Sequence, residues 1–242
     1  MNLASERRAT LTVITVVLND PEGLDRTLTS LEAQTWIDWE CVVVDGGSKD
    51  RTLAVLQAHA ETISSSVSEP DVGIYQAMNK GLDLAATDWL LFMNAGDEFT
   101  GPEALSVAMS HTRSEVDIVY SDWFYREDGA LARASHERMN VRHQSVIYRK
   151  ALHTLYGNYV VGKNVSISDF IFFESIAKRC WVYCAEPISR CDRAGVSANP
   201  RHFHQRLAVE LIFSRRNRVS TALILLAHPF YRFFKRYVLR RP

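Results

Sequence analysis

Two segments of this chain share one design. Val42-Val43-Val44 runs into Asp45-Gly46-Gly47-Ser48, and Leu91-Phe92-Met93 runs into Asn94-Ala95-Gly96-Asp97. Each is an apolar run of strand length that ends in a turn of small residues bearing a carboxylate. Continuous apolar strands are covered on both faces, as in parallel sheets. In open α/β sheets, ligands bind outside the carboxyl ends of such strands. The pattern therefore directs the fold towards an α/β architecture and places a ligand-facing carboxylate, Asp97, on one edge of its sheet.

The remaining sequence alternates to match. Leu11–Leu18 reads as a buried strand, and Asp20-Pro21-Glu22 supplies an N-cap, a proline at the first helical position and an acid in the first turn. Leu24, Leu28 and Leu31 follow at helical spacing. A second strand is expected over Glu40–Val44, a helix from Ser48-Lys49-Asp50 carrying Leu53, Leu56, Ala60 and Ile63, and a third strand within Ile63–Val67. Ile74, Met78, Leu82 and Ala85 mark the next helix, Trp89–Met93 a fourth strand, Pro102-Glu103 a helix start, and Val116–Tyr120 a fifth strand. This order predicts a mixed, mostly parallel sheet flanked by helices on both faces. Further on, Asp122–Asn140 reads as a polar hairpin or loop, Ser145–Tyr148 as a strand, Asp169–Lys178 as a helix and Trp181–Cys184 as a late strand.

From Pro200 the character changes to long basic helical segments, the second of them kinked or broken at Pro229. Ten Lys/Arg from Arg201 onward stand against Glu210 alone, so this tail is +9 and the body −9 in a chain of zero net charge. The expected organisation is a domain over 1–199 and a basic amphipathic tail over 200–242. Phe230-Tyr231-Arg232-Phe233-Phe234-Lys235-Arg236-Tyr237 mixes aromatic and basic residues as an interfacial helix on anionic lipid does. Packing on the acidic body, or within a homodimer, is the other reading of the tail. No nucleic-acid-binding motif accompanies the charge. Cys41, Cys180, Cys184 and Cys191 form no CxxC pair and read as free thiols. Met1–Thr10 lacks the apolar core of a signal peptide, and no run approaches a membrane span, so a cytoplasmic body is expected.

Between the two strand-turn segments lies Ser68-Glu69-Pro70-Asp71-Val72-Gly73-Ile74-Tyr75-Gln76-Ala77-Met78-Asn79-Lys80-Gly81. Together the three segments resemble the donor half of a family 2 glycosyltransferase, over roughly residues 10–200 and most clearly 11–100. The resemblance implies a GT-A fold, with a nucleotide-sugar half over 10–100 and an acceptor half over 101–199. It also implies transfer by single displacement, with inversion, from a UDP- or GDP-linked donor. Thr15, Val17 and Asn19 would end the first strand beside the nucleotide, Asp45 would hold the base, and Asp71 and Asn79 would border the pocket. Such transfer needs the leaving diphosphate neutralised and the acceptor hydroxyl deprotonated.

Asn94 and Gly96 stand where the family usually has Asp-x-Asp, which leaves Asp97 as the carboxylate for Mg2+ or Mn2+, with Glu98 a lesser second ligand. A divalent cation commonly makes do with one or two carboxylates and the substrate's phosphates. The resemblance assigns the catalytic base to an acid opening a later helix. Asp169 in Val165-Ser166-Ile167-Ser168-Asp169-Phe170 matches, and Glu174 is second. His143-Gln144 resembles a His-Gln element of this subgroup, from which His143 would touch the diphosphate, the metal or the acceptor. Gly195-Val196-Ser197 resembles a loop over the diphosphate. Gln76 replaces an Asp common in the subgroup, which bears on donor choice. The subgroup builds exopolysaccharide, capsule or lipopolysaccharide on lipid-linked saccharide acceptors at the inner membrane face.

Two rivals are weighed. A nucleotidyltransferase would open with a Gly-rich basic phosphate loop, absent from residues 11–22. A non-catalytic, membrane-associated nucleotide-binding assembly subunit would account for the loss of Asp-x-Asp.

Overall fold

Six of the seven residues of Leu11–Val17 are β-branched, and this segment forms strand β1, buried at every position. Asp20 caps the helix that follows, α1 (Pro21–Glu32), where its side chain accepts from the Gly23 N–H at 2.9 Å and Pro21 occupies the first turn. Leu24, Leu28 and Leu31 are buried in the core beneath it. There follow β2 (Trp39–Asp45), α2 (Thr52–Ala58), β3 (Ser65–Ser68), α3 (Ile74–Leu84) and β4 (Trp89–Phe92). β1 lies between β2 and β4 and pairs parallel with both, with Val17 opposite Asp45 and Ile14 opposite Phe92. β3 extends the parallel set beyond β2. The carboxyl ends of β1, β2 and β4 thus share one edge. A side chain at Gly81 is excluded by the approach of α3 to β1, since a Cβ there would stand 2.4 Å from Ile14 Cγ2.

This computed structural model describes residues 10–193, 200–213 and 217–237. The second half adds β5 (Glu98–Phe99), α4 (Ala104–Met109), β6 (Ile118–Tyr125), β7 (Leu131–Ala132), a 3-10 turn (His143–Ser145), β8 (Val146–Arg149), α5 (Ala151–Tyr156), α6 (Ser168–Ser175) and β9 (Trp181–Cys191). The nine strands make one mixed sheet in the order β3-β2-β1-β4-β8-β6-β9-β5, with β7 paired to β6. β8 runs antiparallel between β4 and β6, and β9 is parallel to β6. The polar stretch after Asp122 is indeed a hairpin, β6 running on to Tyr125 before it turns to β7.

Some elements depart from the sequence pattern. α2 ends at Ala58, short of Ala60 and Ile63, where His59 Nδ1 and Thr62 Oγ1 both turn to Glu32. β9 runs seven residues past Cys184, because a shift of register between Ser121 and Trp123 of β6 lets the strand pass Pro187 and resume pairing at Ser189. β5 and α5 are too short to show a period.

The contacts divide the chain into units 1–195 and 196–242. In the second, α7 (Pro200–Ile212) carries an Arg206–Glu210 ion pair at 3.0 Å, and α8 (Arg218–Tyr237) is helical through Pro229, without the expected break. The side chains of Phe230 to Tyr237, and Gly195-Val196-Ser197, lie outside the described residues. Among the described residues no helix is long and apolar enough to cross a membrane. Cys41, Cys184 and Cys191 are buried and Cys180 exposed, all as free thiols.

Candidate active site

At the carboxyl edge, the end of β1 (Val16, Val17, Leu18), the Gly46 turn and the start of α3 (Gly73, Ile74, Ala77) enclose a cleft of about 170 Å³ with Asp71 in its wall. Its surface is mostly apolar, and the Asp71 carboxylate pairs with Lys80 Nζ at 2.6 Å. Such a pocket, mostly apolar with one ionic pair in its lining, suits an aromatic heterocycle. A second depression, about 370 Å³, lies at Thr10, Trp36, Trp89 and Met109, on the opposite edge, and no titratable side chain lines it.

Of the residues expected around the nucleotide, Val17 and Asp71 line this cleft. Thr15 sits two residues back in β1, buried, its Oγ1 without a hydrogen-bond partner among the described residues. Three others are bonded within the chain around the cleft. Asp45 is fully buried, and its carboxylate accepts from the Ser48 N–H, from Ser48 Oγ and, at 2.6 Å, from Ser68 Oγ. Asn19, in a left-handed conformation (φ 51°), accepts the Lys49 N–H at 2.8 Å and donates its own N–H to Ser48 Oγ at 2.8 Å. Asn79 exchanges two hydrogen bonds with the backbone of Tyr159, at 2.9 and 3.0 Å. These three hold the turns around the cleft.

Beside the cleft, the Asn94–Asp97 turn closes with Asp97 N–H on the Asn94 carbonyl at 3.0 Å, and Gly96 supplies the positive φ (97°) it needs. Thr27 Oγ1 on α1 donates to the Asp97 carbonyl at 2.6 Å and holds the turn to the body. The 3-10 turn stands over it and points two side chains in different directions. Gln144 Nε2 donates to Asp97 Oδ2 at 2.6 Å. His143 Nδ1 donates to Asp169 Oδ2 at 3.2 Å, while its Nε2 accepts from Asn94 Nδ2 at 3.0 Å. Tyr75, on the first turn of α3, donates its hydroxyl to Asp169 Oδ1 at 2.6 Å. One short turn thus links the two carboxylates, Asp97 through Gln144 and Asp169 through His143.

Their environments push these carboxylates apart. Burial raises the Asp97 carboxyl to about 6, against the Gln144 hydrogen bond and the nearby His143, Arg126 and Arg142. Burial also acts to raise Asp169, but the hydrogen bonds from His143 and from the Tyr75 hydroxyl outweigh it and hold the group at about 2. Divergent pairs of this kind mark different roles. Asp169 stays ionised at neutral pH, as a proton acceptor must. The Arg126 guanidinium, donating to the Gly96 carbonyl and to Asp192 at 2.8 Å, keeps a fixed positive charge beside the turn.

Among the described residues no three His, Cys, Asp or Glu side chains converge on a metal position. What the turn offers a hard cation is oxygen: the Asp97 carboxylate, with Asn94 Oδ1 and Gln144 Oε1 buried and without hydrogen-bond partners among the described residues. That donor set fits Mg2+ or Mn2+ completed by phosphate oxygens. Glu98 is not part of it, lying in β5 and pairing with Arg190 at 3.4 Å. Glu174, five residues along α6 from Asp169, is buried on a different face of the helix. Tyr75, Gln144 and Arg126 were not anticipated. Tyr75 and Gln144 lie inside segments whose motif was visible, whereas Arg126 follows a strand whose end was misjudged.

Comparison with known proteins shows the family and the fold. The family model of "Glycosyl transferase family 2" matches residues 12–173. A "PGL/p-HBAD biosynthesis glycosyltransferase" of Mycobacterium bovis (strain BCG / Pasteur 1173P2) is 35% identical over 159 residues, 61% of this chain, which spans 62% of that relative's length. Among solved structures, S. aureus TarS 1–349 in complex with UDP-GlcNAc superposes with a TM-score of 0.69 at 16% identity, covering 84% of this chain and 66% of that one. The mannosyltransferase PcManGT from Pyrobaculum calidifontis, in complex with GDP-Man and Mn2+, gives 0.60 at 18% identity over 84% and 61%. These structures share the mixed, curled sheet and its helices, the GT-A fold.

Proposed function

Because this chain belongs to glycosyl transferase family 2, we propose that it moves a sugar from a UDP- or GDP-linked donor to a hydroxyl of a lipid-linked saccharide, with inversion. The observation that carries this reading is the His143–Ser145 turn, which joins an ionised carboxylate, Asp169, to a cation-receptive one, Asp97. The base of the nucleotide lies in the cleft against Val17 and Ala77, within reach of Asp71. Asp97 holds Mg2+ or Mn2+, which supplies Lewis-acid neutralisation of the diphosphate. Asp169 accepts the proton of the acceptor hydroxyl as its oxygen attacks the anomeric carbon opposite the leaving group. His143 and Tyr75 fix the Asp169 carboxylate for that attack, and Asn94 sets the His143 ring.

The acceptor class rests on the basic tail and on the relative named for PGL/p-HBAD biosynthesis. The +9 tail carries α7 and α8, and Val219, Leu223 and Leu226 of α8 are exposed. Such helices suit peripheral attachment to an anionic inner leaflet, where lipid-linked saccharides for surface polysaccharide are extended. Residues 1–199 would be the transferase and 200–242 the attachment.

One feature favours the rival reading of a non-catalytic binding subunit, the Asn94 and Gly96 that replace Asp-x-Asp. Nucleotide release from a panel of UDP- and GDP-sugars, with membrane lipid extract as acceptor, separates the two. The expected result is release with one donor, reduced about 10²–10⁴-fold by Asp169→Asn. Nucleotide binding with no release, or release insensitive to Asp169→Asn, would overturn the proposal.

A further inference from the structure

Arg142, His143 and Gln144 leave one short turn in three directions. His143 turns to Asp169 and Gln144 to Asp97. Arg142, half-buried, lays its guanidinium over two rings of β6, 5.8 Å from the centre of Trp123 and 6.0 Å from that of Tyr125. These two residues stand two apart in the strand, so both project from one face of the sheet. Contact with ring faces holds a guanidinium in place without using its N–H groups. Among the described residues no carboxylate lies within ion-pair distance of Arg142. Its neighbours are paired: Arg126 with Asp192 at 2.8 Å, and Arg193, 3.8 Å from the Tyr125 ring, with Asp128 at 2.7 Å. Arg126 still keeps one nitrogen, Nη1, buried and without a hydrogen-bond partner among the described residues. A buried charged donor in that state is costly and calls for an acceptor. Arg126 and Arg142 both lie within charge range of Asp97 and of Cys191.

The strand order decides which substrate this charge meets. The cleft lies at the end of β1, and Asp97 follows β4, the next strand over. Trp123 and Tyr125 belong to β6, two strands beyond β4 and so roughly 10 Å farther across the sheet. Arg142 therefore stands on the side of Asp97 away from the nucleotide. The residue next to it, His143, holds Asp169, the group that takes the acceptor's proton, at 3.2 Å. We propose that Arg142, with Arg126 Nη1, receives a phosphate carried by the acceptor close to the hydroxyl that attacks. The inference rests on the donor-site reading and adds the acceptor's chemical class, a phosphorylated saccharide. A saccharide joined to its lipid through phosphate meets this requirement while its chain is short. Arginine suits the task because its planar fork bonds phosphate oxygens two at a time.

Inorganic phosphate titrated by calorimetry into the full chain, alone and then with UDP and Mg2+ at saturation, tests this. The wild type binds phosphate in both conditions, because the donor site and the Arg142 site are separate. Arg142→Met keeps the packing on Trp123 and Tyr125 but carries no charge. It weakens phosphate binding by about tenfold or more and leaves UDP affinity unchanged. Arg142→Lys keeps the charge, loses the fork and falls between the two. An arginine that only supports the rings would leave phosphate binding in Arg142→Met as in the wild type, and that result overturns the proposal. Loss of all phosphate binding once UDP is present overturns it too, since Arg142 would then serve the donor's own diphosphate. Arg142→Gln decides the matter if Arg142→Met does not fold. With membrane lipid extract as acceptor, Arg142→Gln raises the KM for acceptor by about tenfold and leaves that for donor unchanged; the reverse pattern counts against the assignment. If UDP with Mg2+ does not bind the wild type, the donor-site reading falls and this inference with it. If UDP binds and phosphate does not, the acceptor phosphate alone is refuted.

Discussion

Asp97→Asn should make the protein more stable and less active, by an amount the site's electrostatics set. The Asp97 carboxyl rises from 3.8 to about 6 in the folded chain, with burial as the first cause. Between those values the folded state retains a proton that the unfolded state has released. Stability therefore falls as pH rises through this window, and the full penalty is present above pH 6. A shift of about two units corresponds to roughly 3 kcal/mol at 1.36 kcal/mol per unit. The residue is partly open to solvent, which reduces the figure to about 1.5–3 kcal/mol. Asparagine keeps the shape and can still accept the Gln144 N–H, but it carries no charge. Urea unfolding followed by circular dichroism at pH 4, 6 and 8 should show near-equal stability at pH 4 and a variant about 1.5–3 kcal/mol more stable at pH 8. Mn2+ with UDP should close that gap by stabilising the wild type alone. A variant less stable at pH 8, or a difference independent of pH, would refute the reasoning.

Three further outcomes follow from the geometry. Tyr75→Phe removes one of the hydrogen bonds that hold the Asp169 carboxyl near 2, and should raise it by about 1–2 units; an unshifted acid limb in the pH dependence of kcat would count against the assignment. His59 of the α1–α2 junction, 3.0 Å from Asp25 and 2.7 Å from Glu32, is raised because these hydrogen bonds outweigh the effect of burial. That stabilisation is complete below the unfolded value and is lost as pH climbs through the folded one, so His59→Gln should cost up to about 1 kcal/mol at pH 6 and less at pH 9, the partners being exposed. Gly81→Ala drives a methyl into Ile14 and should destabilise by about 1–3 kcal/mol; an unchanged Tm would mean that α3 can lift from β1 freely.

Much of the framework is written locally in the sequence. β1 is legible because its β-branched run leaves no helical alternative, and the start of α1 because Asp20-Pro21 is a complete capping signal. The chemistry-bearing residues are legible where a motif presents them at an element's end: Asp97 at the turn after β4, Asp169 at the start of α6, His143 at the turn before β8. The structure links these three through Gln144 and the His143–Asp169 hydrogen bond. What the sequence hides is the partner of each polar group. Asp45 looks free as Asp-Gly-Gly-Ser, yet Ser68, 23 residues away, occupies it. Asn79 sits in a pocket-like motif and turns instead to Tyr159, 80 residues on. Tyr75 could be placed against Asp169, 94 residues away, only once α3 and α6 were seen to meet. β5 and α5 escaped because two or six residues carry no readable period.

Calorimetric titration of the full chain with UDP and with GDP, each with and without Mn2+, tests the central claim most directly. The account predicts that one nucleotide binds in a Mn2+-dependent manner and that Asp97→Ala abolishes this dependence while the fold persists. Failure of both nucleotides to bind, or Mn2+-dependent binding that survives Asp97→Ala unchanged, would contradict it.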